Sequence, residues 1–275
     1  MAAGVDISAH YSRGTLLQRL QAALAADGVD RPTIETLAPY DHFHGRGFAA
    51  TQELAERLAP RESDHILDIG SGIGGPARYV AARYGCRVSG IDLTPEFCEV
   101  ARILTRALAL AARVDFHEGD ALSMPFSDAS FDRAYSMNVA MNIADKARFY
   151  REIRRVLKPG ALLALSEIAQ GAGGAPDFPT PWAKTAATSF LATPEETRRH
   201  LEAAGFVVLS VRDTAQEALD FAKMSRAMVD RGEQPPHRAV RLIHGDAAAE
   251  MAANTGRGLA EGRLVPVEFL CRTPE

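Results

Sequence analysis

The chain has 275 residues, 47% hydrophobic and 24% charged, with a formal net charge of -4 and a pI near 6.1. Such a chain builds one large α/β domain or a core with a sizeable addition, and its mildly acidic balance supplies no basic track for nucleic acid. The three cysteines, Cys86, Cys98 and Cys271, are too irregularly spaced for a disulfide framework or a metal knuckle, so a reducing compartment and no metal are expected. The first residues lack a cationic and apolar leader, and no apolar run reaches membrane-spanning length. A cytoplasmic protein with no membrane or nucleic-acid partner, a monomer or homodimer, is the expectation.

Residues 1–60 read as mainly helical. Leu16, Leu17, Leu20 and Leu24 recur at helical spacing and Gly28 ends the helix. After Pro39 comes a dense cluster, Tyr40-Asp41-His42-Phe43-His44-Gly45-Arg46-Gly47, then a second helical pattern over 49–58. The cluster is either an Asx-type turn with solvated histidines or a flap over a ligand.

The stretch from His65 to Asp92 organises the rest. Ile66, Leu67 and Ile69 predict a buried parallel strand, Gly70, Gly72, Gly74 and Gly75 a turn that lets a ligand approach bare backbone, and Pro76 to Tyr84 a helix stopped at Gly85. The strand over 88–91 then ends on Asp92, roughly twenty residues past the glycines, where a ribose-binding acid belongs. Further strands are expected at 114–117, 131–136, 161–168, 206–211 and 265–271. Helices are expected from Thr94-Pro95-Glu96 to about Ala109, from Asp145 to Val156 with Lys158-Pro159-Gly160 as the stop, and from the Thr193 capping box to Gly205. The proline- and glycine-rich loop over 171–181, ending at Trp182, is long enough to be a site element. Helical patterns over 213–262, broken at Pro235-Pro236, should form a lid.

The glycines alone satisfy a dinucleotide fingerprint, so a nicotinamide oxidoreductase stays in play. Asp68-Ile-Gly-Ser-Gly-Ile-Gly74, a second acidic site at Gly119-Asp120-Ala121, and the run Arg155-Val-Leu-Lys-Pro-Gly160 together resemble the class I S-adenosylmethionine-dependent methyltransferases. Within these the chain is similar to the small-molecule type, including the phosphoethanolamine and sarcosine/dimethylglycine N-methyltransferases. The resemblance implies an α/β Rossmann-like, seven-stranded, mostly parallel sheet with helices on both faces, an antiparallel last strand, and helical N-terminal and lid additions. It divides the chain into a helical cap and flap (1–60), a cofactor-binding core (61–212), a helical lid (213–262) and a final core strand (263–275).

It also implies S-adenosyl-L-methionine as cofactor, S-adenosyl-L-homocysteine as product, and contacts at Asp68, Gly70, Ser71, Gly72, Gly74, Asp92, Leu93, Asp120, Ala121 and Asn138. Asp92 would hold the ribose hydroxyls and Asp120 the adenine amine. His42, His44 and Glu167 are the candidate catalytic groups, judged on position and chemistry. Phe43, Met141, Trp182 and Tyr11 are candidates for touching a small-molecule acceptor. N-methylation of a compact amine is slightly preferred to O- or C-methylation of a metabolite or natural product. A non-catalytic cofactor-binding protein is the remaining alternative.

Overall fold

The computed structural model describes residues 10–11 and 14–275. The remaining residues of the expected N-terminal cap, 1–9, 12 and 13, lie outside the described residues. The leucine stripe forms α1 (Leu16–Ala26), with Leu16, Leu20 and Leu24 all buried. Thr33 opens α2 (Ile34–Asp41) through a capping box in which the Thr33 and Thr36 hydroxyls each accept the other residue's N–H. Arg46, in the left-handed region at φ 62°, turns the chain into α3 (Gly47–Leu58).

The central unit folds as its pattern requires. β1 (His65–Ile69) lies parallel to β2 (Arg87–Asp92), with Ile66 opposite Val88 and Ile69 opposite Ile91. Between them α4 (Gly75–Tyr84) has Pro76 in its first turn and Gly85, at φ 75°, closing its end. There follow α5 (Pro95–Ala107), β3 (Val114–Glu118), β4 (Phe131–Met137), α6 (Lys146–Val156), β5 (Leu157–Gln170) and α7 (Pro194–Ala203). The chain ends with β6 (Val207–Asp213), α8 (Ala215–Asp230), α9 (Ala239–His244), α10 (Ala248–Ala260) and β7 (Leu264–Arg272). The capping box at Thr193 is present; Thr94, in contrast, makes no side-chain cap bond, and its own N–H goes to Asp92 Oδ1.

The seven strands are ordered β3-β2-β1-β4-β5-β7-β6. The first five run parallel, and β7 is inserted antiparallel to both β5 and β6. This is the Rossmann-like sheet with a reversed last strand that the resemblance implied. Successive residues of β1 point to opposite faces, so Leu67 and Ile69 enter one core with Phe149 and Ile153 of α6. Ile66 enters the other, with Leu54 and Leu58 of α3 and Val80 of α4.

One boundary differs from expectation. Lys158-Pro159-Gly160 does not stand outside the fifth strand: β5 starts at Leu157 and passes through it. Leu157 pairs with Phe131, and the next partners, Leu162 and Arg133, resume after a register shift. The irregularity absorbs Pro159, which has no N–H to give the ladder, while the N–H of Gly160 reaches Pro274 O at 3.0 Å.

Strand order reverses between β1 and β4, the position where open α/β sheets leave a crevice beyond their strand ends. The insertion between β6 and β7 roofs that crevice. α9 buries Leu242 and Ile243 against the α1 leucines, whereas α8 has no buried residue. Among the described residues no helix is long and apolar enough to cross a membrane.

Candidate functional site

The crevice is a cavity of about 340 Å³, within the range of small-molecule sites. Gly70 and Gly72 from the β1–α4 loop, Asp92 and Leu93 after β2, Asp120 and Ala121 after β3, and Asn138 after β4 all line it. Gly70 has to be glycine: it sits at φ 73°, and a Cβ there would come within 2.2 Å of Val139 Cγ2.

Asp92 ties the loop to the strand end. Its Oδ2 accepts the Gly72 N–H at 2.8 Å and its Oδ1 the Thr94 N–H at 2.9 Å, while burial pushes its pKa up. Each oxygen keeps a second lone pair, so the carboxylate has capacity for two more donors. Asp120 is more exposed and accepts the Leu122 N–H at 2.8 Å through Oδ1. Asn138 is held at φ 57° by donating its N–H to Ser166 O at 2.7 Å.

Other expected cofactor residues stand behind this wall. Asp68 is buried beneath the loop, its carboxyl pushed up to about 7 by burial, with Asp92 adding to the rise. Gly74 turns the chain into α4 at φ 82°, where a Cβ would strike the Phe116 ring at 2.3 Å and the Arg78 guanidinium at 2.8 Å. Ser71 is buried against Gly90, whose added Cβ would meet it at 2.7 Å. These three shape the loop from beneath and do not line the cavity.

The expected catalytic groups need correction. His42 and His44 do not line the cavity and are not solvated. His42 Nδ1 lies 2.8 Å from Thr51 Oγ1, and His44 Nε2 lies 3.0 Å from both Thr51 Oγ1 and Gly47 O. Burial holds His42 at about 3 and His44 well below the ordinary histidine value, with neighbouring positive charge adding to the effect. The segment is anchored: the Asp41 carboxylate pairs with Arg78 at 2.8 Å, both side chains buried. Residue spacing showed a polar cluster, but only tertiary packing shows that its polar atoms turn inward.

Glu167 is likewise buried outside the cavity wall. Its Oε2 accepts the Ala140 N–H at 3.1 Å, and burial pushes it up to about 7. From the other side the Lys146 ammonium donates to the carbonyls of Ala140, Ile143 and Phe190. The pair grips the turn over 138–143 that forms one cavity wall. It positions the turn and does not reach across it.

The expected Tyr11, Phe43, Met141 and Trp182 all line the cavity, Phe43 lying against Gly72 of the glycine loop. The Tyr11 hydroxyl donates to Asn142 Oδ1 at 3.2 Å, and Asn142 Nδ2 donates to Trp182 O at 2.8 Å. Among the further lining residues, Phe97, Phe190, Val240, Ile243 and His244 escaped sequence reasoning. Phe97 reads only as a core position of an amphipathic α5. The α9 residues carry no local signal of the surface they will meet.

A glycine loop, two acids on neighbouring strand ends and a roofed crevice suit a nucleoside, and the comparisons say of which kind. A methyltransferase-domain family matches residues 67–165, from β1 into β5. The O-methyltransferase resE of Aspergillus sclerotiorum is 30% identical over 191 residues, covering 66% of this chain and 70% of that protein. The chain belongs to the class I S-adenosylmethionine-dependent methyltransferases. The cofactor of this family is S-adenosylmethionine, and the donor set fits it: Asp92 has room for two hydroxyls, and Asp120 for an exocyclic amine.

Among solved structures, the [4+2]-cyclase SpnF superposes with a TM-score of 0.69 at 25% identity, over 94% of this chain and 93% of that one. Phosphoethanolamine N-methyltransferase 2 of Haemonchus contortus, solved with S-adenosylhomocysteine, shares the fold at a TM-score of 0.71 and 22% identity, over 86% of this chain and 55% of that one. The chain spans 58% to 64% of the length of three other curated relatives. The relatives' names include O-, N- and C-methyltransferases.

Proposed function

We propose that this protein transfers a methyl group from S-adenosylmethionine to a small-molecule acceptor inside the cavity. One observation carries the reading: Gly70, Gly72, Asp92 and Asp120 line the same cavity as Tyr11, Trp182 and α9. Asp92 would hold the ribose hydroxyls, Asp120 the adenine amine, and the peptide at Gly70 to Gly72 the methionine portion. When bound, the cofactor would supply an electrophilic sulfonium methyl for a nucleophile on the acceptor.

The chain's own contribution is alignment and the exclusion of water. Of the histidine and glutamate candidates, none lines the acceptor end, and the hydroxyl of Tyr11 is kept protonated by burial and by the charge of Asp92. His244 of the lid does line the cavity, its ring 4.9 Å from that of His10. Three free, buried thiols suit the reducing interior of a cell, in keeping with a cytoplasmic enzyme, monomeric or homodimeric.

Calorimetric titration with S-adenosylmethionine and NAD, followed by incubation of the full chain with methyl-labelled cofactor and a metabolite extract, tests the proposal. Binding of S-adenosylmethionine but not NAD, with label entering an extract component and S-adenosylhomocysteine forming, is the expected result. The likeness to SpnF and a largely apolar cavity favour a second reading, a cyclase that uses the fold without methyl transfer. That reading gives a product of unchanged mass and leaves the label on the cofactor.

A further inference from the structure

The cavity wall also carries information on the acceptor, and this inference rests on the methyl-transfer reading. Among the described residues no lysine or arginine lines the cavity. The nearest buried ammonium, Lys146, is turned away from it and shared among three backbone carbonyls. A phosphate or carboxylate on the acceptor would therefore lose its water without gaining a counter-ion, which is costly in a closed site.

Acids are present but placed elsewhere. Asp120 and Asp145 are exposed, at the rim, and each already accepts a backbone N–H, from Leu122 and Arg148 respectively. Asp92 is bound to the glycine loop. Much of the remaining wall is built from Met141, Trp182, Phe190, Val240 and Ile243, with Phe43 against Gly72. Its polar side chains include Asn142, engaged on both sides by Tyr11 and by Trp182 O, and His244, whose ring lies 4.9 Å from that of His10. Among the described residues a small ammonium would find no carboxylate on this part of the wall, and a compact polar amine would leave most of the surface uncovered.

We infer that the methyl acceptor is an uncharged, predominantly apolar molecule, bound by the side chains of the β5–α7 loop and of α9 rather than by ionic contacts. This reverses the sequence-based preference for a compact amine and takes up the O- or C-methylation alternative. A hydroxyl or an activated carbon on an apolar skeleton is the matching nucleophile class.

The full chain, with and without saturating S-adenosylhomocysteine, is titrated with 2-naphthol, 2-naphthyl phosphate and ethanolamine. We expect 2-naphthol to bind at least tenfold more tightly than either charged probe. Val240→Asp and, as a second variant, Phe190→Asp should each weaken 2-naphthol binding at least tenfold while leaving S-adenosylhomocysteine binding within twofold. Selectivity below tenfold, or no binding of 2-naphthol, overturns the inference. Failure to bind S-adenosylhomocysteine with the naphthol selectivity intact would instead overturn the methyl-transfer reading, so the two failures are distinguishable.

Discussion

The hydroxyl of Tyr11 donates to Asn142 Oδ1 at 3.2 Å, joining the N-terminal segment to the turn after β4 across 131 residues of sequence. The direction of this bond is fixed from behind. Trp182 O accepts from Asn142 Nδ2, so the amide oxygen has to face the tyrosine. Burial, reinforced by the charge of Asp92, raises the Tyr11 pKa, so the group stays protonated across the neutral range. Tyr11 can thus accept a hydrogen bond from an acceptor but does not serve as its base. Tyr11→Phe removes the bond while keeping the ring, and should raise the acceptor KM roughly fivefold, on the order of 1 kcal/mol. S-adenosylhomocysteine affinity should stay within twofold; an equal loss in both would place Tyr11 at the cofactor end.

Asp92 has a double task, since the same carboxylate that would meet the ribose also fixes the Gly72 and Thr94 N–H groups. Asp92→Ala should weaken S-adenosylmethionine binding by roughly 1 to 3 kcal/mol, the scale for leaving buried partners unmatched. Asp92→Asn, which keeps one acceptor oxygen, should fall between the two. Titration calorimetry reads both, and an unchanged dissociation constant in the alanine variant would remove Asp92 from the ribose role.

The half of the site that was legible in the sequence is the half built by local rules. Gly70, Gly72, Asp92 and Asp120 follow directly from where each strand ends, because an α/β crossover leaves its connecting residues at the carboxyl edge whatever lies above. The other half depends on packing between distant elements. Val240 and Ile243 reach the cavity only because α9 docks on α1, and a helical stripe in the sequence does not name its partner. His42 and His44 mislead for the complementary reason. Their residue type suggests solvent or chemistry, but Thr51 and Gly47 O partner His42 Nδ1 and His44 Nε2 inside the fold, and His42 Nε2 lies 3.4 Å from Asp41 Oδ1. At Pro159 the sequence signalled a break where the strand instead bulges and continues.

The Asp41–Arg78 pair pins the flap to α4. Arg78 is fully buried and also donates to Ile73 O at 2.7 Å, so the guanidinium is held in place even when its counter-ion is removed. Asp41→Ala would strand that charge, an effect of about 3 to 5 kcal/mol for a buried pair. At this chain length the melting temperature should fall by roughly 6 to 15 °C. The double variant Asp41→Ala with Arg78→Met should recover part of the loss, because the buried guanidinium leaves with its counter-ion. Thermal melts of the two singles and the double measure the coupling; additive losses would mean that the pair carries no interaction of its own.

Burial of His42 makes stability depend on pH in a definite direction. Its folded pKa, about 3, lies below the ordinary value of 6.5, so the folded state binds fewer protons than the unfolded one in this window. Its contribution is therefore present above pH 6.5 and is lost as the pH falls toward 3, by on the order of 1 to 2 kcal/mol between pH 6.5 and 5. Asp68 and Glu167, both pushed up to about 7, act with the opposite sign: their contribution is present at low pH and lost as the pH rises through 7. The whole-protein profile mixes these trends, so the informative quantity is the difference between wild type and His42→Gln. Glutamine can still meet the Thr51 hydroxyl but does not titrate. Wild type should be the more stable at pH 7.5, with its advantage shrinking by 1 to 2 kcal/mol on reaching pH 5. Urea unfolding at pH 7.5, 6.5 and 5 gives the difference directly. A constant gap would show that the imidazole titrates alike in the folded and unfolded chain, and that the pocket around Thr51 does not keep it neutral.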